Sequence, residues 1–204
     1  MKAAVYRGPG TVRVEEVPDL EPAPGEIIVR VRACGVCPTD LKKVKEGLLA
    51  PPRIYGHETA GQIAALGPGV TGWKEGDRVA LYHHVGCGTC QACRRGDDAF
   101  CPQYKKVGIG AGFEPAGGGY AEYARVAPWV VRGGGVWRIP DGISFEEASF
   151  LEPVNTCVKA VGRAGIGEGN RVLVLGAGPV GLMMLLACLG QDPPLDRGVV
   201  VSPE

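Results

Sequence analysis

The sequence predicts a mixed α/β chain in two parts: a small β-barrel or sandwich over residues 1–150, then the start of a doubly wound parallel sheet over 151–204. Three observations predict it. Up to about residue 150, short apolar or alternating runs are separated by glycine and proline turns. Over 144–161 the apolar spacing turns helical. Beyond that, "RVLVLGAGPVGLMMLLACLG" (171–190) reads as buried strand, glycine turn and helix.

Each element has its own local reason. "EIIVRVRA" (26–33) alternates apolar and charged residues, as a half-buried strand does. "HETAGQIAALG" (57–67) and "DRVALYH" (77–83) read as further strands bounded by glycine, and "GGGYAEYARV" (117–126) as another, with Tyr120 and Tyr123 as β-formers. "SFEEASFLEPVNTCVKAV" (144–161) opens on Ser144 and Glu147, three apart, which is a capping box, and the domain boundary is expected at 140–155. Val172 to Gly190 carries no charge and is near the length of a membrane span, but Gly176, Gly178 and Pro179 split it. "GVVVS" (198–202) reads as a second strand.

Composition excludes several classes. Among 204 residues, 45% are hydrophobic and the formal net charge is zero, so nothing draws the chain to nucleic acid or anionic lipid. The start, "MKAAVYRGPGTVRVEEV", has no apolar run of signal-peptide length, so a cytoplasmic location is expected, with no membrane attachment. In that setting eight cysteines favour metal binding or catalysis over disulfides.

Cys87, Cys90, Cys93 and Cys101 have the spacing C-x2-C-x2-C-x7-C, which turns four thiolates onto one ion. Four thiolates leave no position for substrate, so the cluster is a clasp, whose negative charge Arg94 and Arg95 could offset. Free or redox thiols and an iron–sulfur cluster are the alternatives. Cys37, in "CGVCPTD" (34–40), and His57 with Glu58, in "GHE" (56–58), supply sulfur, imidazole and carboxylate, a mixture that suits zinc with one position left open. Cys34 reads as a small buried hydrophobe. "GAGPVG" (176–181) fits G-x-G-x-x-G between strand and helix, where Gly176, Gly178, Pro179, Val180 and Gly181 would bring backbone amides to a pyrophosphate.

Together with "MKAAVYRGPG", "GDRVA" (76–80), "GGYAEY" (118–123) and "LEPV" (151–154), these motifs resemble the medium-chain zinc-dependent alcohol and polyol dehydrogenases, over nearly the whole chain to about Gly190. The resemblance implies a GroES-like β-barrel domain (1–150) that binds zinc and carries the catalysis, then a partial Rossmann domain (151–204) for NAD or NADP. It implies two zinc ions per chain. Cys37 and His57 would hold the catalytic one, with Glu58 a ligand or beside it, exchanging with water or substrate, and Glu152 near or on the metal. The four-cysteine clasp would hold the structural one. Asp40 would orient the ring of His57, and Thr39 would pass on the hydroxyl proton of an alcohol whose hydride goes to nicotinamide. Glu152, where many alcohol-type members have cysteine, tilts the expected substrate toward polyols. A homo-oligomer, dimer or tetramer, is expected.

Two features depart from the family pattern. Lys42 and Lys43 stand where many relatives have a proton-relaying histidine. The second half of the dinucleotide fold is also missing, so Ser202 and Glu204 fall where an acidic residue would hold the ribose, and NAD is not separated from NADP. The expectation is a truncated dehydrogenase whose strand 172–175 and helix 180–190 keep an uncovered apolar side. The alternative is a non-catalytic zinc-binding remnant or a regulatory partner of a full-length dehydrogenase.

Overall fold

Lys2–Gly8 (β1) and Thr11–Glu16 (β2) form an antiparallel hairpin that runs from the pair Lys2↔Glu16 to Gly8↔Thr11. Its turn needs glycine: Gly8 and Gly10 have φ of 146° and 69°, conformations that residues with a Cβ rarely adopt. The alternating run seen in the sequence becomes Ile27–Gly35 (β3), followed by the helix Pro38–Glu46 (α1) and the short strand Arg53–Ile54 (β4). In α1, Pro38 and Asp40 occupy the first turn and Lys43 and Lys45 the last, as the helix dipole favours, and left-handed Gly47 ends it. Next come Glu58–Leu66 (β5), Arg78–Leu81 (β6) and a single helical turn, Gln91–Arg94 (α2). Ile109–Gly110 (β7), Tyr123–Val126 (β8), Pro128–Arg132 (α3), Val136–Arg138 (β9) and Phe145–Ser149 (α4) complete the first unit. The computed structural model describes residues 1–83, 85–104, 106, 108–113, 117–190 and 197–201, the last stretch by its backbone pairing. Ser202 and Glu204 lie outside the described residues.

Six strands pair antiparallel in the order β7-β8-β3-β5-β6-β9, and three more in the order β2-β1-β4. Between the two sheets, the backbone of Glu122 donates to Lys2 O at 3.0 Å and accepts from Val31 N at 2.9 Å. The core of the larger sheet is Ile27, Val29, Ile63, Val79, Leu81, Ile109, Val126 and Val130, all buried. Arg30 and Arg32, their alternates on β3, are exposed, as the two-residue period requires. The strand expected over 117–126 is realised only at Tyr123–Val126. Upstream of it, Gly117 and Gly118 have φ of 111° and 119°, and the amides of 118–120 bond Tyr55 and Gly56 instead of continuing a ladder.

The capping box forms reciprocally: Ser144 N donates to Glu147 Oε2 at 2.7 Å and Glu147 N to Ser144 Oγ at 3.1 Å. The helical stretch 144–161 breaks after Ser149, and a second helix, Leu151–Ala164 (α5), begins. Pro153 explains the break. In an unbroken helix its ring would clash with the carbonyl of Ser149, whereas in the first turn of α5 no hydrogen bond is lost.

The chain divides into two units, Met1–Ser149 and Phe150–Glu204. In the second, Arg171–Leu175 (β10), Pro179–Leu189 (α6) and Arg197–Val201 (β11) make a strand–helix–strand unit whose strands pair parallel from Arg171↔Arg197 to Leu175↔Val201. Parallel neighbours need such a crossover. Leu175 is 79% exposed and Leu186 67%, so the uncovered apolar side expected from the sequence is present.

Two predictions follow from this packing. Ile27→Ala, which empties a fully buried site, lowers unfolding free energy in urea by about 2–5 kcal/mol. Asp77 is buried, accepts from Arg138 Nη1 at 2.7 Å and from Lys74 N at 3.0 Å. Burial works against its charge, yet these bonds outweigh it and hold the carboxyl below its usual pKa. The folded value lies below the unfolded one, so this stabilisation is present above about pH 4 and is lost as pH falls toward the depressed value. Urea midpoints measured across that range fall less steeply on the acid side for Asp77→Asn than for the wild type.

Candidate metal centres

The first centre is built by the pairing of β3 with β5. Their register ends at Cys34↔Thr59 and Gly35↔Glu58. Two residues past Gly35 the chain reaches Cys37, the N-cap of α1, and one residue before Glu58 it reaches His57. The ligand atoms of Cys37, His57 and Glu58 consequently lie within 4.8 Å of one another. A Cβ at Gly35 would push the Glu58 carboxylate away from this position.

Asp40 is 2% exposed on α1, with Oδ2 3.2 Å from His57 Nδ1. That contact leaves Nε2 of the ring for a metal. Burial disfavours the carboxylate, but His57, Lys43 and Tyr120 outweigh it and hold the pKa below its usual range. Tyr120 Oη lies 3.0 Å from Gly35 O and 3.2 Å from Asp40 Oδ2, one proton shared between two acceptors. Burial, reinforced by the charge of Asp40, pushes its pKa up. Lys43 Nζ stands 3.5 Å from Asp40 Oδ1 and 5.6 Å from the centroid of the Tyr55 ring, an anchored position that accounts for one of the two lysines at the expected relay. Thr39 is exposed on the first turn of α1, two residues after Cys37. Cys34 is half-buried between Thr59 Oγ1, at 3.4 Å, and the backbone, and burial pushes its thiol up to about 11, as suits an inert packing residue.

The second centre is local. The sulfurs of Cys87, Cys90, Cys93 and Cys101 also lie within 4.8 Å of one another, with Cys90 and Cys93 3.5 Å apart, far beyond a disulfide bond. Cys90 caps α2 and accepts from Cys93 N at 3.5 Å; Cys101 accepts from Cys87 N and Gln103 N, each at 3.3 Å. Amides aimed at sulfur favour thiolate. Hydrogen bonds from Thr89 bring Cys87 down to about 6, while burial and its sulfur neighbours push Cys93 up to about 12. Four crowded sulfurs resist becoming four anions together, and a cation among them removes the conflict. The chemistry of both donor sets fits zinc. Gly86 was not singled out in the sequence, yet a Cβ there would stand 2.6 Å from Cys93 Sγ. Arg94 closes α2 and Arg95 follows it, both exposed.

In the second unit, Gly176 takes φ of 108° after β10, Gly178 caps α6 and Pro179 opens it. A Cβ on Gly181 would strike the carbonyl of Gly176, whereas one on Gly178 would meet nothing within 4 Å, so the helix N-terminus is open. Val180 is 55% exposed. Glu152 is buried in the first turn of α5. Tyr120, Gly35 and Gly86 are the site residues that periodicity and spacing did not reveal, because each acts through a contact distant in sequence or through a missing side chain.

The family model for the alcohol dehydrogenase GroES-like domain matches residues 23–140. Sorbitol dehydrogenase of Bacillus subtilis is 35% identical over 192 residues, covering 92% of this chain and 52% of its own. L-threonine 3-dehydrogenase of Pyrococcus horikoshii is 39% identical over 173 residues, covering 82% and 47%. Among solved structures, an alcohol dehydrogenase of Escherichia coli CFT073 complexed with NADH superposes with a TM-score of 0.83 at 30% identity, covering 98% of this chain and 56% of that one. The chain spans about half the length of the curated relatives it matches. A GroES-like match over most of the first unit, on a strand pairing that gathers Cys37, His57 and Glu58, places this chain in the medium-chain zinc-dependent alcohol and polyol dehydrogenase family.

Proposed function

We propose that this chain supplies the metal-binding catalytic domain, and the opening of the coenzyme domain, of an enzyme that transfers hydride between an alcohol or polyol and NAD or NADP. The observation that carries the reading is the contrast between two donor groups: a closed set of four cysteines and an open set of one sulfur, one imidazole and one carboxylate. Zinc at the open set, when bound, supplies a Lewis acid for a hydroxylated substrate. Cys37 and His57 would hold it, and Glu58 would share or yield its place. Asp40 keeps His57 in the tautomer that presents Nε2. Thr39, exposed two residues from Cys37, would pass on the proton of a substrate hydroxyl. Glu152, a buried carboxyl on α5, remains in this reading the residue that tilts the substrate toward polyols. The open N-terminus of α6, with Gly176, Gly178, Pro179, Val180 and Gly181, would receive the coenzyme pyrophosphate.

The four-cysteine set would hold the structural zinc. Domain roles follow as 1–150 for metal and catalysis and 151–204 for part of the coenzyme fold. Eight free cysteines support a cytoplasmic setting. Among the described residues no helix is long and apolar enough to cross a membrane. The proposed assembly is a homodimer or homotetramer.

Metal counting by mass spectrometry tests the reading. The wild-type chain is expected to carry one zinc per donor group, Cys37→Ser to lose the open-site ion alone, and Cys93→Ser to lose the clasp ion together with thermal stability. Retention of both ions by Cys37→Ser would remove the catalytic assignment. Hydride transfer is read separately, as deuterium moving from a carbon-deuterated polyol to the oxidised coenzyme.

A further inference from the structure

One side chain outside every expected site touches the segments that deliver all three open-site donors. Tyr120 follows Gly117, Gly118 and Gly119, and its backbone N–H donates to Tyr55 O at 3.0 Å, two residues before His57. Its carbonyl accepts from Ala4 N at 2.8 Å, and Gly119 N donates to Gly56 O at 2.8 Å. The ring lies against Gly56, where a Cβ would come within 2.7 Å of its edge. Backbone and ring are thereby fixed before the hydroxyl is considered.

From this position the hydroxyl reaches Gly35 O at 3.0 Å and Asp40 Oδ2 at 3.2 Å. Gly35 closes β3 just before Cys37 and packs against the carboxylate of Glu58. Asp40 Oδ2 is the same oxygen that faces His57 Nδ1. The torsion about the last bond of an aspartate is intrinsically broad, so its neighbours decide the orientation. Lys43 Nζ, 3.5 Å from the other oxygen, is a compact point charge whose three donors set no direction for it. The rigid phenol selects one orientation.

We infer that Tyr120 is a positioning residue of the open metal centre: its hydroxyl sets the Asp40 carboxylate so that His57 donates through Nδ1 and keeps Nε2 for the ion. The inference rests on the reading of Cys37, His57 and Glu58 as a metal site. Asp40 is the partner one step removed from the ligand, a position whose loss commonly weakens metal binding about 10–100-fold, and Tyr120, acting through Asp40, is expected at the lower end of that range.

Cobalt(II) titration of the metal-free 204-residue chain tests this, because sulfur-only and mixed donor sets absorb at different wavelengths. Tyr120→Phe is expected to raise the dissociation constant of the mixed site roughly tenfold and to leave the four-cysteine band unchanged. Tyr120→Leu separates packing from positioning: a Phe variant with wild-type affinity beside a weakened Leu variant would overturn the inference. In an Asp40→Asn background, Tyr120→Phe is expected to add less than about a twofold effect, and a full-sized effect there overturns it too. A wild-type chain that shows no mixed-site band sinks the metal-site reading as well, whereas a normal wild type with an unchanged Phe variant sinks this inference alone.

Discussion

The open centre depends on one antiparallel register. β3 and β5 run side by side until Gly35 meets Glu58, and beyond that pair the strands separate with Cys37 on one and His57 on the other. A slip of one residue would turn every side chain of β5 to the opposite face and carry Glu58 away from Cys37. Two irregularities in the ladder, between Ile28 and Val29 and between Val31 and Ala33, adjust its phase on the way. What holds the register is apolar: Ile27, Val29 and Ile63 are buried in one core with Val79 and Leu81 of β6. The centre is thus the end point of a packing decision made some distance away.

The two donor groups differ in how they depend on that decision. The four cysteines come from fifteen consecutive residues, and their amide-to-sulfur bonds and the cap of α2 stay inside that segment or just beyond it. Such a group closes its own loop around an ion, much as small metal-dependent modules do. The open group draws on three segments, the end of β3 with α1, the start of β5, and the 117–120 turn that carries Tyr120. It has no existence apart from the folded barrel. Stability and chemistry are accordingly linked more tightly at the open group than at the clasp.

The coenzyme unit has a simpler logic. Gly176 permits the turn, Gly181 lets α6 approach its carbonyl, and Gly178 leaves the helix start uncovered. Gly176 and Gly181 therefore serve distinct needs, whereas a Cβ at Gly178 would meet nothing within 4 Å. The apolar surface of this unit, with Leu173 and Leu175 on β10 and Leu186 on α6, is exposed in the chain as it stands.

Local sequence determined what depends on neighbours along the chain: the alternation of β3, the Ser144–Glu147 cap, the spacing of the four cysteines and the glycine turn after β10. These were legible because the interacting groups lie within a few residues and the chain's own geometry brings them together. The division of 144–161 into two helices was also within reach, since Pro153 forbids the Ser149 carbonyl its usual place. Tertiary structure alone decided that Tyr120 lies under Asp40, that a Cβ at Gly35 would push the Glu58 carboxylate away, that Gly86 must lack a side chain, and that Lys43 is held by Asp40 and Tyr55. The reason is physical: a hydrogen bond across 80 residues, or a void filled by a distant carboxylate, leaves no periodicity in the chain and exists only once the sheets have packed.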